Sequence, residues 1–159
     1  MVLMRNEAST QFIATTIKRQ LQRTFPHPEL VEPLLTFLER VEAPVNTTLI
    51  RRGEDSRAMY FIESGRLNIQ ITTADGDTIR LRSLRGGTVV GEVAMYMKAK
   101  RIADVITTEN CVLYRLTFEA LERMEAELPE TAAALHEWVA QQMAERLAEN
   151  NKTIEALLD

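Results

Sequence analysis

A short stretch near the middle of the chain combines residue types that could bind a small anion. In residues 87–107, GTVVGEVAMYMKAKRIADVIT, Gly91 is followed by Glu92, and Arg101 comes nine residues later. A glycine allows the backbone to approach a ligand closely, and the helical turn expected after it begins with amides that have no intrahelical partner. Such amides bind anions, and the planar guanidinium of an arginine suits phosphate oxygens.

The acidic residue in this stretch indicates what else the ligand carries. Glu92 is negatively charged, so it cannot bind a phosphate, but its carboxylate can accept a hydrogen bond from a ribose hydroxyl. Together with Arg101 it predicts a pocket for a small phosphate ester that bears a sugar hydroxyl. The alternative is an empty pocket, in which Glu92 only stabilises a helix start and Arg101 forms a salt bridge to Glu54, Asp104 or Glu92.

Residues 1–42 are predicted to form N-terminal helices. Within residues 10–25 the apolar positions recur at helical spacing, and Pro26 and Pro28 end this first helix. Its apolar face consists of Phe12, Ile13, Ile17 and Leu21. A second helical face follows, and it consists of Leu30, Leu34, Phe37, Leu38 and Val41.

Residues 43–116 are predicted to form an antiparallel β-roll. Apolar and polar side chains alternate in RLNIQIT, residues 66–72, and the Asp75-Gly76 pair that follows is a strong hairpin signal. Ile79 and Leu81 in the next strand are expected to face inward. Short strands with turn signals roughly every ten residues are typical of an antiparallel sandwich or barrel.

Residues 117–159 are predicted to form two C-terminal helices. Thr117 can cap the first, and Pro129 separates it from a long second helix with an apolar stripe. The stripe consists of Leu135, Val139, Met143, Leu147, Ile154 and Leu158. Some thirty residues span roughly 45 Å, more than a small β-roll is wide. The far half of this helix is therefore expected to contact a second copy of the chain, in a homodimer, or another partner.

These elements add up to one mainly-β domain of the α+β class over residues 1–159. The formal net charge is −4, and the chain is 45% hydrophobic and 26% charged, as in soluble globular proteins. Residues 102–159 hold four Lys and Arg against twelve Asp and Glu, a balance that argues against a nucleic acid partner. No apolar run is long enough to enter a membrane and no secretory signal is evident, so a cytoplasmic location is expected.

The sequence offers little for catalysis or metal binding. Cys111 is the only cysteine and lies in the apolar run CVLYRL, which indicates a buried thiol. The two histidines, His27 and His136, do not form a metal-ligand pattern with it. No nucleophile is paired with a base, so we expect neither an enzyme nor a bound cofactor or metal.

Several motifs in order resemble the cyclic nucleotide-binding domains. Their phosphate-binding cassette runs Gly-Glu-aliphatic-Ala-aliphatic and, a few residues later, Pro-Arg-Ala-Ala or a close variant. This chain has GEVAMYMKAKRIA at residues 91–103, within a cassette of residues 87–104. LRGGTVVGE and RRGEDSRAMYFIESGRL are similar to the family's segments before the cassette. The resemblance covers roughly residues 30–145 and implies a ligand-binding β-roll.

By that resemblance the cassette would bind a cyclic nucleotide, cAMP or cGMP. Glu92 would hold the ribose 2′-hydroxyl, Arg101 the cyclic phosphate, and the amides of Val93 and Ala94 the remaining phosphate oxygens. The other residues expected around the ligand are Val90, Gly91, Ile102 and Ala103. Glu54 would steady Arg101 from behind, next to Asp104, and the residues that could cover the base are His136, Trp138 and Gln142.

The cassette departs from the family pattern at three positions. Lys100 stands where proline is usual, Ile102 where a small residue is usual, and Asp104 adds a negative charge near Arg101. Two functions follow. In the first, the chain is a regulatory module that binds a cyclic nucleotide and signals through its C-terminal helices. In the second, Ile102 and an Asp104–Arg101 pair close the pocket, and the roll is a dimerisation or protein-interaction module.

The region around the C-terminal helices suggests a narrower resemblance. Residues 112–151 are similar to the cyclic nucleotide-binding-like region at the cytoplasmic end of some bacterial sulfate-permease-type transporters. That resemblance implies a regulatory domain associated with a membrane transporter and without transport activity of its own.

Overall fold

Strands with alternating apolar residues pair into two antiparallel sheets in the computed structural model, which describes residues 2–3 and 15–158. The strands are β1 (Val2–Leu3), β2 (Glu39–Ala43), β3 (Thr48–Ile50), β4 (Ala58–Ser64), β5 (Arg66–Thr72), β6 (Thr78–Arg85), β7 (Val89–Val90), β8 (Asp104–Thr107) and β9 (Cys111–Thr117). One sheet has the order β1-β2-β9-β4-β7 and the other β3-β8-β5-β6. The predicted antiparallel β-roll with flanking helices is confirmed.

Helices precede, interrupt and follow the sheets. They are α1 (Thr15–Thr24), a 3₁₀ turn (Pro28–Leu30), α2 (Val31–Leu35), α3 (Glu92–Met97), α4 (Phe118–Glu127) and α5 (Pro129–Leu158). Thr117 caps α4, as predicted, because its hydroxyl accepts a hydrogen bond from the Ala120 amide at 3.1 Å. Within the described residues no helix combines the length and the hydropathy needed to cross a membrane.

The core has two parts that meet at β4. Tyr60 and Ile62 point between the two sheets, whereas Met59 and Phe61 point toward the helices. Both faces of this strand are therefore covered, and residues 59–62 are all buried. The helical part of the core includes Trp138 of α5, which stacks on Phe61 with ring centroids 5.8 Å apart.

The N-terminal boundary of the roll differs from the prediction. Residues 39–43 form β2 rather than the end of a second helix, and Val41 pairs with Leu113 of β9. The helix ends at Leu35 because the chain turns there to enter the sheet. In the first predicted helix, Ile17 and Leu21 are buried on α1, whereas Phe12 and Ile13 lie outside the described residues.

Ile79 and Leu81, which were predicted to face inward, are not buried, although Leu81 lines a cavity described below. These side chains are 46% and 56% exposed. Strand β6 is the edge strand of its sheet, and the pairing of β5 with β6 is irregular between Ile69 and Gln70. At the edge of the sheet, both side chains stay partly exposed.

The two halves of α5 have different surroundings. Thr131, Leu135, Trp138 and Val139 in its first half are buried against the roll and the N-terminal helices. From Leu147 onward the side chains are exposed. The helix leaves the body of the domain close to the cassette.

Candidate functional site

The cassette encloses one side of a cavity of about 200 Å³. All eight residues predicted to surround the ligand line it, namely Val90, Gly91, Glu92, Val93, Ala94, Arg101, Ile102 and Ala103. The sheet β3-β8-β5-β6 supplies the opposite wall through Ile50, Ile69, Leu81 and Val105. The cavity thus has an apolar side and a charged side, as expected for a site that takes a small polar molecule with an apolar part.

Gly91 makes the tight entry into the cassette helix possible. Its φ of +90° is in the left-handed region, which a side chain disfavours. A Cβ atom at this position would lie 2.7 Å from the Ala58 carbonyl oxygen and 3.1 Å from Nη1 of Arg101. The glycine therefore lets α3 begin directly against β4 and against the arginine of the site.

The guanidinium of Arg101 is buried and held by the backbone. Nη1 donates to the Gly91 carbonyl at 2.9 Å, Nη2 to the Ala58 carbonyl at 2.7 Å, and Nε to Ser56 Oγ at 3.2 Å. A guanidinium has five N–H donors, so these bonds leave one on each terminal nitrogen. Burial lowers the pKa of Arg101, an effect opposed by Tyr60, Glu54 and Glu92. The result is a fixed cation with donors to spare.

Glu54 reaches Arg101 by an indirect route. Its backbone carbonyl accepts from the Arg101 amide at 2.8 Å, and Ser56 Oγ lies 3.5 Å from its Oε2. The Ser56 hydroxyl therefore stands between the Glu54 carboxylate and the guanidinium of Arg101. Asp104 binds elsewhere, because its Oδ1 accepts from the Arg52 amide at 2.7 Å.

Glu92 is almost fully buried, and its two carboxylate oxygens differ. Oε1 accepts from Nη1 of Arg146 at 2.5 Å. Oε2 is also buried and, among the described residues, has no hydrogen-bond partner. Arg146 comes from α5 and lines the same cavity. A buried carboxylate oxygen without a donor is an acceptor that a ligand hydroxyl could use.

The features that would close the pocket are missing from the part of the chain that the structure describes. Ile102 lies at the cavity but is 70% exposed, so it does not fill the site. Arg101 forms no salt bridge to Asp104 there, since each has other partners. The structure therefore does not support the alternative in which Ile102 and an Asp104–Arg101 pair close the pocket.

The three residues predicted to cover a base do not line the cavity. Trp138 belongs to the core, where its Nε1 donates to Thr24 Oγ1 at 2.9 Å. His136 lies beside the cassette helix and contacts Tyr96 and Glu125. Gln142 is partly buried on α5 but is not part of the cavity wall.

Sequence reasoning missed two arginines of the site. Arg146 is one, and its distance of 54 residues from Glu92 gave no local signal. Arg57 is the other: it donates to the carbonyls of Ala94 at 3.2 Å and Met95 at 2.5 Å, and it stacks 3.7 Å over the Phe118 ring. It thereby ties the cassette helix to the start of α4.

Fold and site together place the chain in a known class. The model of the cyclic nucleotide-binding domain matches residues 40–127, which is more than half of the chain. The chain therefore belongs to the cyclic nucleotide-binding domain family, as its motifs predicted.

Two relatives are considerably longer than this chain. The chain is 37% identical over 85 residues to acetyltransferase Pat of Mycolicibacterium smegmatis, covering 54% of this chain and 25% of that protein. It is 28% identical over 154 residues to the Pycsar effector protein XpPycTIR of Xanthomonas perforans, covering 95% and 46%. It thus spans between a quarter and a half of the length of these relatives.

A solved structure shares the fold over nearly the whole chain. A cyclic nucleotide-binding domain from Methylobacillus flagellatus superposes with a TM-score of 0.84 at 17% identity, covering 96% of this chain and 86% of that one. The likeness extends to the flanking helices as well as the roll.

Proposed function

We propose that this chain binds a cyclic nucleotide, cAMP or cGMP, in the cassette cavity and signals through its C-terminal helices. One observation carries the proposal. The cavity combines a fixed arginine with spare donors, Arg101, and a buried carboxylate oxygen of Glu92 that has no hydrogen-bond partner among the described residues. A cyclic phosphate offers acceptors to the first, and a ribose 2′-hydroxyl offers a donor to the second.

The route to the C-terminal helices consists of two contacts. Arg57 joins the cassette helix to Phe118 at the start of α4, and Arg146 of α5 holds Glu92. A ligand that changes the position of Glu92 or of α3 acts on both helices. Such a ligand shifts the helix population only by its difference in affinity between the two arrangements.

Ligand binding can be measured by thermal unfolding and calorimetry with cAMP and cGMP, with 5′-AMP as the acyclic control. Ligand at a hundred times its dissociation constant adds about 2.7 kcal/mol to the free energy of unfolding. For a domain of this size we expect the melting temperature to rise by about 5–11 °C. The rise should be absent with 5′-AMP.

Arg101→Ala should abolish this rise, and Arg101→Lys should restore only part of it because an ammonium cannot replace the bidentate fork. Arg52→Ala is the matched control, since its side chain is exposed and only its backbone amide has a site contact. Calorimetry well below the melting temperature separates lost binding from lost stability. Equal responses of Arg101→Ala and wild type, or no response of wild type, would reject the proposal.

A second proposal concerns the exposed half of α5, which we propose pairs with a second copy of the chain. Leu147, Ile154, Leu157 and Leu158 are 54–82% exposed, and they recur at helical spacing on the part of the helix that extends beyond the roll. Sedimentation should give a dimer for wild type and a monomer for Leu147→Glu/Ile154→Glu. A monomeric wild type at tens of micromolar would contradict it.

Three further predictions stay untested. They are the absence of catalysis, the cytoplasmic location, and the association with a sulfate-permease-type transporter, which none of the relatives described above supports. In the described residues no group of three or more histidine, cysteine or acidic side chains could hold a metal ion.

A further inference from the structure

Arg146 on α5 extends across the rim of the cavity. Nη1 lies 2.5 Å from Oε1 of Glu92, and Nη2 donates to the Val89 carbonyl at 3.3 Å. The Glu92 side chain is 5% exposed and that of Arg146 is 22% exposed. The two residues are 54 positions apart, so the pair connects the cassette directly to the C-terminal helix.

This pair uses only one side of the Glu92 carboxylate. Oε1 is bound to Arg146, whereas Oε2 is buried and lacks a donor within the described part of the chain. The terminal torsion of a glutamate is broad when nothing holds it. Because Arg146 fixes Oε1, the direction of Oε2 is fixed as well.

We infer that Arg146 is a positioning residue that holds Glu92 so that Oε2 accepts a hydrogen bond from a ribose hydroxyl of the ligand. The inference rests on the proposed function and adds a residue to it. The ligand hydroxyl and Arg146 use different oxygens, so Arg146 does not compete with the ligand. The C-terminal helix thereby becomes part of the hydroxyl subsite, and recognition of ribose depends on its position.

The surrounding charges favour this arrangement. A buried carboxylate that loses its cation becomes an uncompensated charge, which protonates or moves toward solvent. Arg82 is a neighbouring arginine outside the cavity wall, and burial together with Arg146 lowers its pKa, while Glu149 and Glu92 act in the opposite direction. It forms no ion pair with Glu92 in the described structure, so it does not replace Arg146.

The test compares nucleotides with and without the 2′-hydroxyl. Calorimetry would give the affinities of wild type and Arg146→Met for cAMP and 2′-deoxy-cAMP, with cGMP and 2′-deoxy-cGMP in parallel. We expect wild type to prefer the hydroxyl form by about tenfold or more, the effect of one hydrogen bond to a charged group. In Arg146→Met this preference should fall to about threefold or less, and Arg146→Lys should recover part of it.

Arg82→Met is the matched control, because it removes a neighbouring arginine that does not contact Glu92. It should change the affinities for both forms by the same factor. In Arg146→Met/Glu92→Gln the preference should equal that of Glu92→Gln alone, since the two residues act on one hydroxyl. Urea denaturation establishes that each variant is folded.

Each outcome decides a different statement. If Arg146→Met lowers the affinities for both forms equally, Arg146 is structural and the inference is wrong, while the proposed function stands. If wild type binds a cyclic nucleotide without preferring the hydroxyl form, Glu92 does not read the ribose and the inference is again wrong. If wild type binds none of the four nucleotides, the proposed function is rejected and the inference with it.

Discussion

Two buried glutamates, Glu63 and Glu92, show how a carboxylate in the fold differs from a carboxylate in a site. Glu63 on β4 accepts from the amides of Thr16 at 2.7 Å and Ile17 at 2.9 Å, one on each oxygen. Both oxygens of Glu63 are therefore used by the protein itself, at the start of α1. In Glu92, one oxygen binds Arg146 and the other has no partner among the described residues.

The difference separates stability from function. A carboxylate at a helix start satisfies amides that would otherwise have no acceptor and interacts favourably with the helix dipole. Glu63 is thus expected to contribute to the free energy of unfolding. The Oε2 atom of Glu92, which lacks a donor in the described part of the chain, contributes nothing to it and costs desolvation, an arrangement that becomes favourable only when a donor arrives.

The largest effect on the free energy of unfolding is expected at Gly91, which sets the position of Glu92 but not that of Glu63. Gly91→Ala adds a Cβ 2.7 Å from the Ala58 carbonyl oxygen at a φ of +90°. Strain and overpacking together should lower the free energy of unfolding by about 2–5 kcal/mol. Urea denaturation measures this.

Gly76→Ala is the matched control for that change. Its φ is +87°, but an added Cβ would have nothing within 4 Å. It carries the backbone strain alone, about 1–2 kcal/mol. Equal losses in the two variants would mean that the close approach of β4 to the cassette is not tight.

Replacement by glutamine should lower the free energy of unfolding more at Glu63 than at Glu92. Glu63→Gln leaves one amide of α1 facing an NH₂ group, and the free energy of unfolding should fall by about 1–3 kcal/mol. Glu92→Gln keeps an oxygen for Arg146, removes the more buried charge of the pair and leaves a guanidinium that is 22% exposed to water, so a change below about 1 kcal/mol is expected. Chemical denaturation of both variants checks this, and a larger loss in Glu92→Gln would reverse the comparison.

The same two replacements should affect ligand affinity in the opposite order, with the larger loss at Glu92. With its oxygen on Arg146, the glutamine of Glu92→Gln presents an NH₂ group where the ribose hydroxyl is proposed to donate, and we expect the affinity for cAMP or cGMP to fall about tenfold or more. Glu63→Gln lies away from the cavity and should leave the affinity of folded protein unchanged. Calorimetry measures both, and a fall for Glu63→Gln alone would place the ligand elsewhere.

The sequence predicted the fold well where a local pattern carried the information. The alternation in residues 66–72 matches β5, and the cassette motif gathered eight residues that do line one cavity. It failed for residues 39–43, because ERVEA continues a helical apolar pattern and becomes a strand only by pairing with residues 111–115. That pairing depends on residues about seventy positions away.

The contacts between elements were beyond sequence reasoning for the same reason. Nothing near Glu92 indicates that Arg146 lies beside it, since helical periodicity gives the face of α5 but not its neighbour. Trp138 was expected to reach the ligand, but its position on the helix faces Phe61 and Thr24. Which residues hold the ligand stays a prediction until binding is measured.

The smallest effect on the free energy of unfolding is expected at Tyr96, which lies near a third carboxylate, that of the half-exposed Glu125. His136 lies between it and Tyr96, with its Nδ1 2.9 Å from the Tyr96 hydroxyl and its Nε2 3.2 Å from Glu125. Burial above all, and Glu125 in addition, raise the pKa of Tyr96 from 10.0 to about 12. The folded state therefore keeps the phenolic proton at a pH where the unfolded state has lost it.

Linkage then fixes the sign of the pH dependence. Between pH 10 and about 12 the unfolded state binds fewer protons at Tyr96, so the free energy of unfolding falls as pH rises through this window. Below pH 10 the contribution is fully present. Tyr96→Phe removes the titrating group and should lose less stability than wild type over the same window, while the raised pKa of Tyr114 contributes equally to both proteins. Urea denaturation at pH 9, 10 and 11 checks this. If the free energies of unfolding of the two proteins change in parallel with pH, burial and Glu125 do not raise the pKa of Tyr96.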